Sequence, residues 1–333
     1  MSDLSGESRS IHRSSVRRIL GLLIMVISLG AVIWTITADE EGWEVLTSVG
    51  IPAVAALVLL QSAGLVTQAY RYRLTVDEAA GSNLPFLSWL RLFVVGRFLN
   101  AIAPQAGNAY RAVRLREDYA IPITRYLSGF LAFIWLSTLL NLVLALAVIL
   151  VVEPELRFGE VPAVTVIAGL LTVTAASPPL ALWLFQRRRV ESATRWGWLY
   201  RRTEDMLSGA VRVARSGRTL GRFFGAALAG LAIWVAAFAV SFEALGLEVS
   251  FASVVVFYVL QQLGTYLNIT PGNLGLQELY SGALAAQLGI GLTGGLLVAT
   301  LIRLTALITL LAVGTVLGGF RSFRRIRRSP PGP

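Results

Sequence analysis

Residues 99–111 read "LNAIAPQAGNAYR", and residues 267–278 read "LNITPGNLGLQE". Each run places Leu-Asn, then Pro, then Gly-Asn, then a charge, once in each half of an otherwise apolar chain. The surrounding segments, 84–117 and 250–290, are greasy but interrupted in the middle by Pro and Gly. Neither half of either segment reaches the ~20 residues that cross hydrocarbon. Each therefore reads as two half-helices entering and leaving on one side of a membrane, a re-entrant hairpin with the repeated run at its tip.

Composition supports a bilayer as the solvent. The 333 residues are 55% hydrophobic and 14% charged, with a mean hydropathy of +0.68, far from the balance of a water-soluble domain. The run "ILGLLIMVISLGAVIWTITA" (19–38) is apolar on all sides over the length of a membrane span. Further apolar runs at about 49–70, 121–152, 162–186, 222–242 and 293–318 bring the expected crossings to six.

Arginine placement orients them. Arg13, Arg17 and Arg18 precede the first run, and Arg71 and Arg73 follow the second. Arg187, Arg188, Arg189, Arg201 and Arg202 lie between the fourth and fifth, and "RSFRRIRR" follows the last. The alternate loops carry "ADEEGWE" (38–44), "EPELRFGE" (153–160) and "EALGLE" (243–248). Short basic loops stay inside, so both termini are expected in the cytoplasm and the protein in the cytoplasmic membrane.

The order of elements is span, span, broken hairpin, span, twice over. Three crossings per half is odd, so the second half starts on the opposite face, and the two hairpins enter from opposite sides with their tips meeting near the midplane. The expected fold is thus an all-α polytopic membrane protein, with six membrane-spanning helices and two re-entrant half-helix hairpins in an inverted-topology repeat. Its divisions are a cytoplasmic arm (1–18), a first membrane repeat (19–155) with hairpin 84–117, a second repeat (156–320) with hairpin 250–290, and a basic tail (321–333). Within the second repeat, residues 196–222 set Trp198, Leu199, Met206, Leu207 and Val211 against Arg201, Arg202, Arg212 and Arg215. That pattern suits a helix lying on the anionic inner leaflet.

The composition also excludes chemistry. The chain has no Cys and one His, His12, in its polar leader, so no thiolate or imidazole metal site is expected. No HExxH motif, no glycine-rich P-loop and no nucleophile-base pair is present; the protein is expected not to be an enzyme and to need no cofactor. All 29 basic residues are Arg. The net charge of +10 belongs to membrane topology, since no basic segment interleaves with aromatics as nucleic-acid binding requires.

Charge at membrane depth marks the candidate site. Arg303 sits inside the last apolar run, where an unpaired guanidinium costs ~2.5–3.5 kcal/mol or more. Glu278, the only acid between Glu248 and the C-terminus, lies just past the second tip as its natural partner. A half-helix beginning at Asn273 or Leu274, after Pro271 and Gly272, would aim free N–H groups and a positive dipole end inward, as phosphate binding requires. Gly275 permits close backbone approach. Asn100, Asn268 and Asn273 offer uncharged donors, and Arg97 and Arg111 flank the first tip. Together these residues describe a polar cavity for an anionic headgroup whose lipid tails remain in the bilayer.

At these positions the sequence resembles the transmembrane domain of lysylphosphatidylglycerol synthases, the multiple peptide resistance factor type, and the stand-alone flippase-like proteins that share it. The resemblance runs from about residue 15 to 320. It is carried by Asn100, Pro104, Gly107 and Arg111, then by Pro271, Gly272, Leu274, Gly275 and Glu278, then by Arg303. An acid that commonly follows the first Gly is Asn108 here. Where relatives carry a charged cluster early in the next span, this chain has Ser137, Thr138 and Asn141. The resemblance implies movement of a phospholipid or lipid-linked headgroup between leaflets. It also implies that the synthesis of lysyl-lipid belongs to a fused aminoacyltransferase domain, which is not expected in a chain stopping at "SPPGP". The alternative is a non-transporting membrane protein that presents lipid to a separate glycosyltransferase or aminoacyltransferase. Expected partners are the bilayer, the lipid, such a lipid-modifying enzyme in the alternative case, and a second copy of the chain; nucleic acid is not among them.

Overall fold

A computed structural model describes residues 40–102, 105–187, 195–265 and 273–317, together with Gly30. The apolar run at 19–38 apart from Gly30, the arm before it and the basic tail lie outside the described residues. What is described is almost wholly helical: α1 (Glu40–Thr47), α2 (Ile51–Ala80), α3 (Phe86–Ile102), α4 (Ala106–Tyr119), α5 (Ile123–Val152), α6 (Ala163–Arg187), α7 (Arg195–Arg215), α8 (Gly217–Ala244), α9 (Phe251–Gly264), α10 (Leu276–Gln287) and α11 (Leu292–Val316). The one β element among the described residues is a two-residue strand pair, Arg157–Phe158 with Val161–Pro162, turning at Gly159 in the acidic loop "EPELRFGE".

Five of these helices, α2, α5, α6, α8 and α11, are long and apolar enough to cross a bilayer, and they coincide with the five expected runs after residue 38. The chain is a polytopic α-helical membrane protein. Large apolar side chains face outward along the spans, among them Leu170, Val173, Leu180 and Leu184 on α6 and Leu304, Leu307, Ile308 and Leu311 on α11. In water these would be a liability; in lipid they are the solvent-facing surface.

The two interrupted segments each form a pair of short helices packed on one another, α3 with α4 and α9 with α10. None of the four is long enough to span a bilayer at 1.5 Å per residue. The first pair shares its core with Leu65, Ala69, Tyr72 and Val76 of α2, with Tyr126 at the start of α5, and with Leu310 and Val313 late in α11. The second pair shares its core with Leu57 early in α2, Leu142 and Ile149 late in α5, and Leu296 and Leu301 early in α11. The pairs thus pack around opposite ends of the same three long helices.

Two boundaries differ from the sequence reading. Helix α2 continues past residue 70 to Ala80, because its charges find partners within the protein. Arg71 stacks over the Phe223 ring at 4.5 Å and donates to Ser137 Oγ at 2.9 Å, Arg73 pairs with Asp77 at 3.0 Å, and Thr219 donates to Glu78 at 2.6 Å. The amphipathic segment expected over 196–222 ends at Arg215, and the next span begins at Gly217. The C-terminal half of α7 is docked: Ala210, Val211 and Val213 are buried, and the backbone at Gly209 lies so close to Ser128 that an added Cβ would stand 2.6 Å from its Oγ. Arg201, Arg202, Arg212 and Arg215 remain exposed on its outer face.

Candidate functional site

The tips of the two helix pairs face a common cavity of about 530 Å³, within the range of small-molecule and headgroup sites. Arg97 and Asn100 of α3 reach it from the first pair with Gln105, and Asn273, Gln277 and Glu278 reach it from the second. Arg303, near the middle of α11, completes the charged part of the wall, and Trp234 and Phe238 of α8 supply an apolar side.

The first tip is built on a backbone contact. Gly96 and Gly107 bring α3 and α4 so close that a Cβ on Gly107 would stand 1.8 Å from the Gly96 carbonyl oxygen. Any larger residue would drive the helices apart. At the N-terminus of α4 the N-cap residue, Gln105, adopts a left-handed conformation (φ 64°), and its side chain caps none of the backbone N–H groups of the helix. Asn100 acts in its place: its Oδ1 accepts from the Gly107 N–H at 2.7 Å, satisfying one of the orphan donors of the helix start.

Behind this tip lies Arg111, 2% exposed. Its guanidinium donates to Asn108 Oδ1 at 3.0 Å and stands 5.4 Å and 5.3 Å from the ring centres of Tyr72 and Phe93. It fills the slot left by Gly96, where an added Cβ would lie 2.3 Å from Arg111 Nε. Tyr72 donates to Tyr126 at 2.7 Å, and Asn108 donates in turn to Gln105 on the cavity wall at 2.6 Å. Arg111 is thus turned away from the cavity and reaches it only through Asn108 and Gln105. Its charge is met by aromatic faces and an amide oxygen.

At the second tip, Asn273 has φ 56° and Gly275 φ 79°, and the helix begins at Leu276 with Gly275 as its N-cap, slightly later than the sequence suggested. Glu278 falls in the first turn of α10, where the dipole favours a negative charge. The end expected to greet a phosphate therefore carries a carboxylate of its own. Glu278 is 4% exposed and forms an ion pair with Arg303 through Oε1; its Oε2 is buried without a hydrogen-bond partner among the described residues. Arg303 also donates to the Asn273 carbonyl at 3.1 Å and to Gln277 Oε1 at 3.4 Å. One guanidinium thereby ties α11 to three points on the second tip.

Of the residues singled out from sequence, the cavity gathers Arg97, Asn100, Asn273, Glu278 and Arg303. Gly107, Asn108 and Arg111 shape the first tip from behind, and Gly275 shapes the second. Pro104, Asn268, Pro271 and Gly272 lie outside the described residues. The sequence reading passed over the glutamines of the wall, Gln68, Gln105, Gln261, Gln262 and Gln277. The available signal was their position: most lie inside apolar runs, where an amide facing lipid is costly.

No curated protein and no solved structure matches the chain. The family model of the lysylphosphatidylglycerol synthase TM region matches residues 18–314, which takes in both helix pairs and the cavity between them, and the chain therefore belongs to that family.

Proposed function

We propose that the protein is a flippase-like lipid transporter, not itself an enzyme, that carries a phospholipid or lipid-linked headgroup between leaflets by alternating access. The observation that carries the reading is one polar cavity walled by the tips of two helix pairs, each packed around an opposite end of the same long helices. In the full reading, the run at 19–38 supplies a sixth crossing and both pairs are re-entrant hairpins of an inverted repeat, in the cytoplasmic membrane with both termini inside. Reciprocal packing supports it: α3 of the first half packs on α11 of the second, α9 of the second packs on α5 of the first, and α2 and α8 pair at the centre. An inverted repeat generates such exchange and places its site at the repeat interface. Rocking of the halves about the α2–α8 contact then opens the cavity to each side in turn. The Glu278–Arg303 pair and Arg97 would hold or release the headgroup phosphate.

Leaflet exchange of fluorescent phospholipids in liposomes tests this. The wild type should exchange lipid faster than protein-free vesicles, and Glu278→Gln and Arg303→Ala should return the rate to baseline while the protein remains folded in detergent. An undiminished rate in Glu278→Gln sinks the assigned role of the pair.

The exposed arginine face of α7 favours a second reading, that of a membrane partner presenting lipid to a separate glycosyltransferase or aminoacyltransferase. That reading requires a stable complex lost when Arg201, Arg202, Arg212 and Arg215 are replaced by Gln; co-purification that finds no such enzyme argues against it.

A further inference from the structure

Five of the chain's eight glutamines line the cavity, drawn from α2, α9, α10 and the first tip, with Asn100 and Asn273 between them. Each primary amide both donates and accepts hydrogen bonds. Amides placed at mid-depth in a lipid-solvated bundle, where unsatisfied polar groups are costly, suit a ligand that carries donors and acceptors together. Hydroxyl groups do so; methyl and ammonium groups do not. The side chains of Gln68 and Gln262 make no hydrogen bond among the described residues.

The charges select further. Three charged residues line the described cavity, Arg97, Arg303 and Glu278. Glu278 is already engaged by Arg303 through one oxygen, and its other oxygen is sealed. Arg97 is exposed to the cavity and has no ion pair among the described residues. An incoming phosphate thus meets a guanidinium ready for bidentate binding. An incoming ammonium meets a like charge and no open carboxylate, which leaves it desolvated and uncompensated.

Resting on the transport reading above, we infer that the cavity takes an anionic, hydroxyl-rich headgroup, a phosphate bearing glycerol, inositol or sugar, in preference to one bearing an amine. Arg97 binds the phosphate, and Gln68 and Gln262 bind hydroxyls. A site built to hydrogen-bond hydroxyls discriminates strongly against a ligand lacking them, because its own buried groups are then left unpaired.

Native mass spectrometry of the full chain tests this, using an equimolar mixture of phosphatidylglycerol, phosphatidylethanolamine and lysylphosphatidylglycerol with identical acyl chains. Phosphatidylglycerol should be retained over either amine lipid by about tenfold or more. The Gln68→Leu/Gln262→Leu variant, with an unchanged melting temperature, should bring that ratio to within about threefold. Glycerol phosphate added in excess separates the two sources of this chemistry: an adduct that persists assigns the site to the lipid, and one that is displaced assigns the same chemistry to a soluble polyol phosphate. Equal or greater retention of an amine lipid by the wild type overturns the inference. Selective retention without leaflet exchange would remove transport and keep the headgroup assignment. Unselective retention with exchange of every lipid would do the reverse.

Discussion

Gly107 has no room for a single methyl group. The nearest atom to its missing Cβ is the backbone oxygen of Gly96 at 1.8 Å, and a backbone carbonyl in a packed helix cannot swing aside as a side chain can. Gly107→Ala should therefore part α3 from α4, break the Asn100 cap and destabilise the protein by about 1–3 kcal/mol or more. Gly225, with open space around its Cβ position inside α8, is the control: Gly225→Ala should leave the protein unchanged or stabilise it by about 0.5–1 kcal/mol. Chemical denaturation in detergent compares the two, and equal behaviour would show that the Gly96–Gly107 contact does not organise the tip. Arg303 illustrates the same dependence on position. Its bonds to Glu278, Asn273 and Gln277 turn a costly intramembrane charge into a clamp across the site.

At the scale of elements, the periodic grammar of the sequence was informative wherever lipid imposes it. The five long helices follow from uninterrupted apolar runs, because a bilayer demands all backbone hydrogen bonds within the segment. The two short pairs follow from Pro104, Gly107, Pro271 and Gly272 in runs too short to cross. What a span's composition withholds is its rotation. A helix that is apolar all round has no face written into it, so neither the inward aim of Gln68 and Gln261 nor the turn of Arg111 toward Tyr72 and Phe93 was legible. Helix α7 shows the converse: its amphipathic pattern was clear, but the pattern could not tell a lipid surface from the protein groove that holds Ala210 and Val213. Orientation of the two pairs can be measured directly, because the chain contains no cysteine. Arg116 at the end of α4 and Gln287 at the end of α10 are both exposed. With entry from opposite faces, Gln287→Cys should react with an impermeant maleimide on intact cells, and Arg116→Cys only after permeabilisation. Labelling of both from one side would exclude the inverted arrangement.

For the molecule as a whole, the long helices form a frame and the short pairs form its two plugs, each anchored at one end of α2, α5 and α11. Apolar cores stand at both ends of the bundle, and the polar residues collect where they meet. Such a layout concentrates conformational freedom at the seam, since packed cores move as bodies and seldom deform continuously. Gly64 of α2, whose missing Cβ lies 2.8 Å from Trp234 Nε1 of α8, marks a tight contact between these two helices.

At about 530 Å³ the cavity has space for a headgroup and none for two fatty chains, which on the proposed transport reading would stay outside against the apolar flanks of the spans. On that reading, the protein would distinguish one end of its cargo and be indifferent to the other. Lipids that share a headgroup and differ in acyl length or unsaturation should be carried at the same rate in the liposome assay, whereas a change of headgroup should alter it. A rate that tracks acyl length instead would mean that the tails pass through the protein.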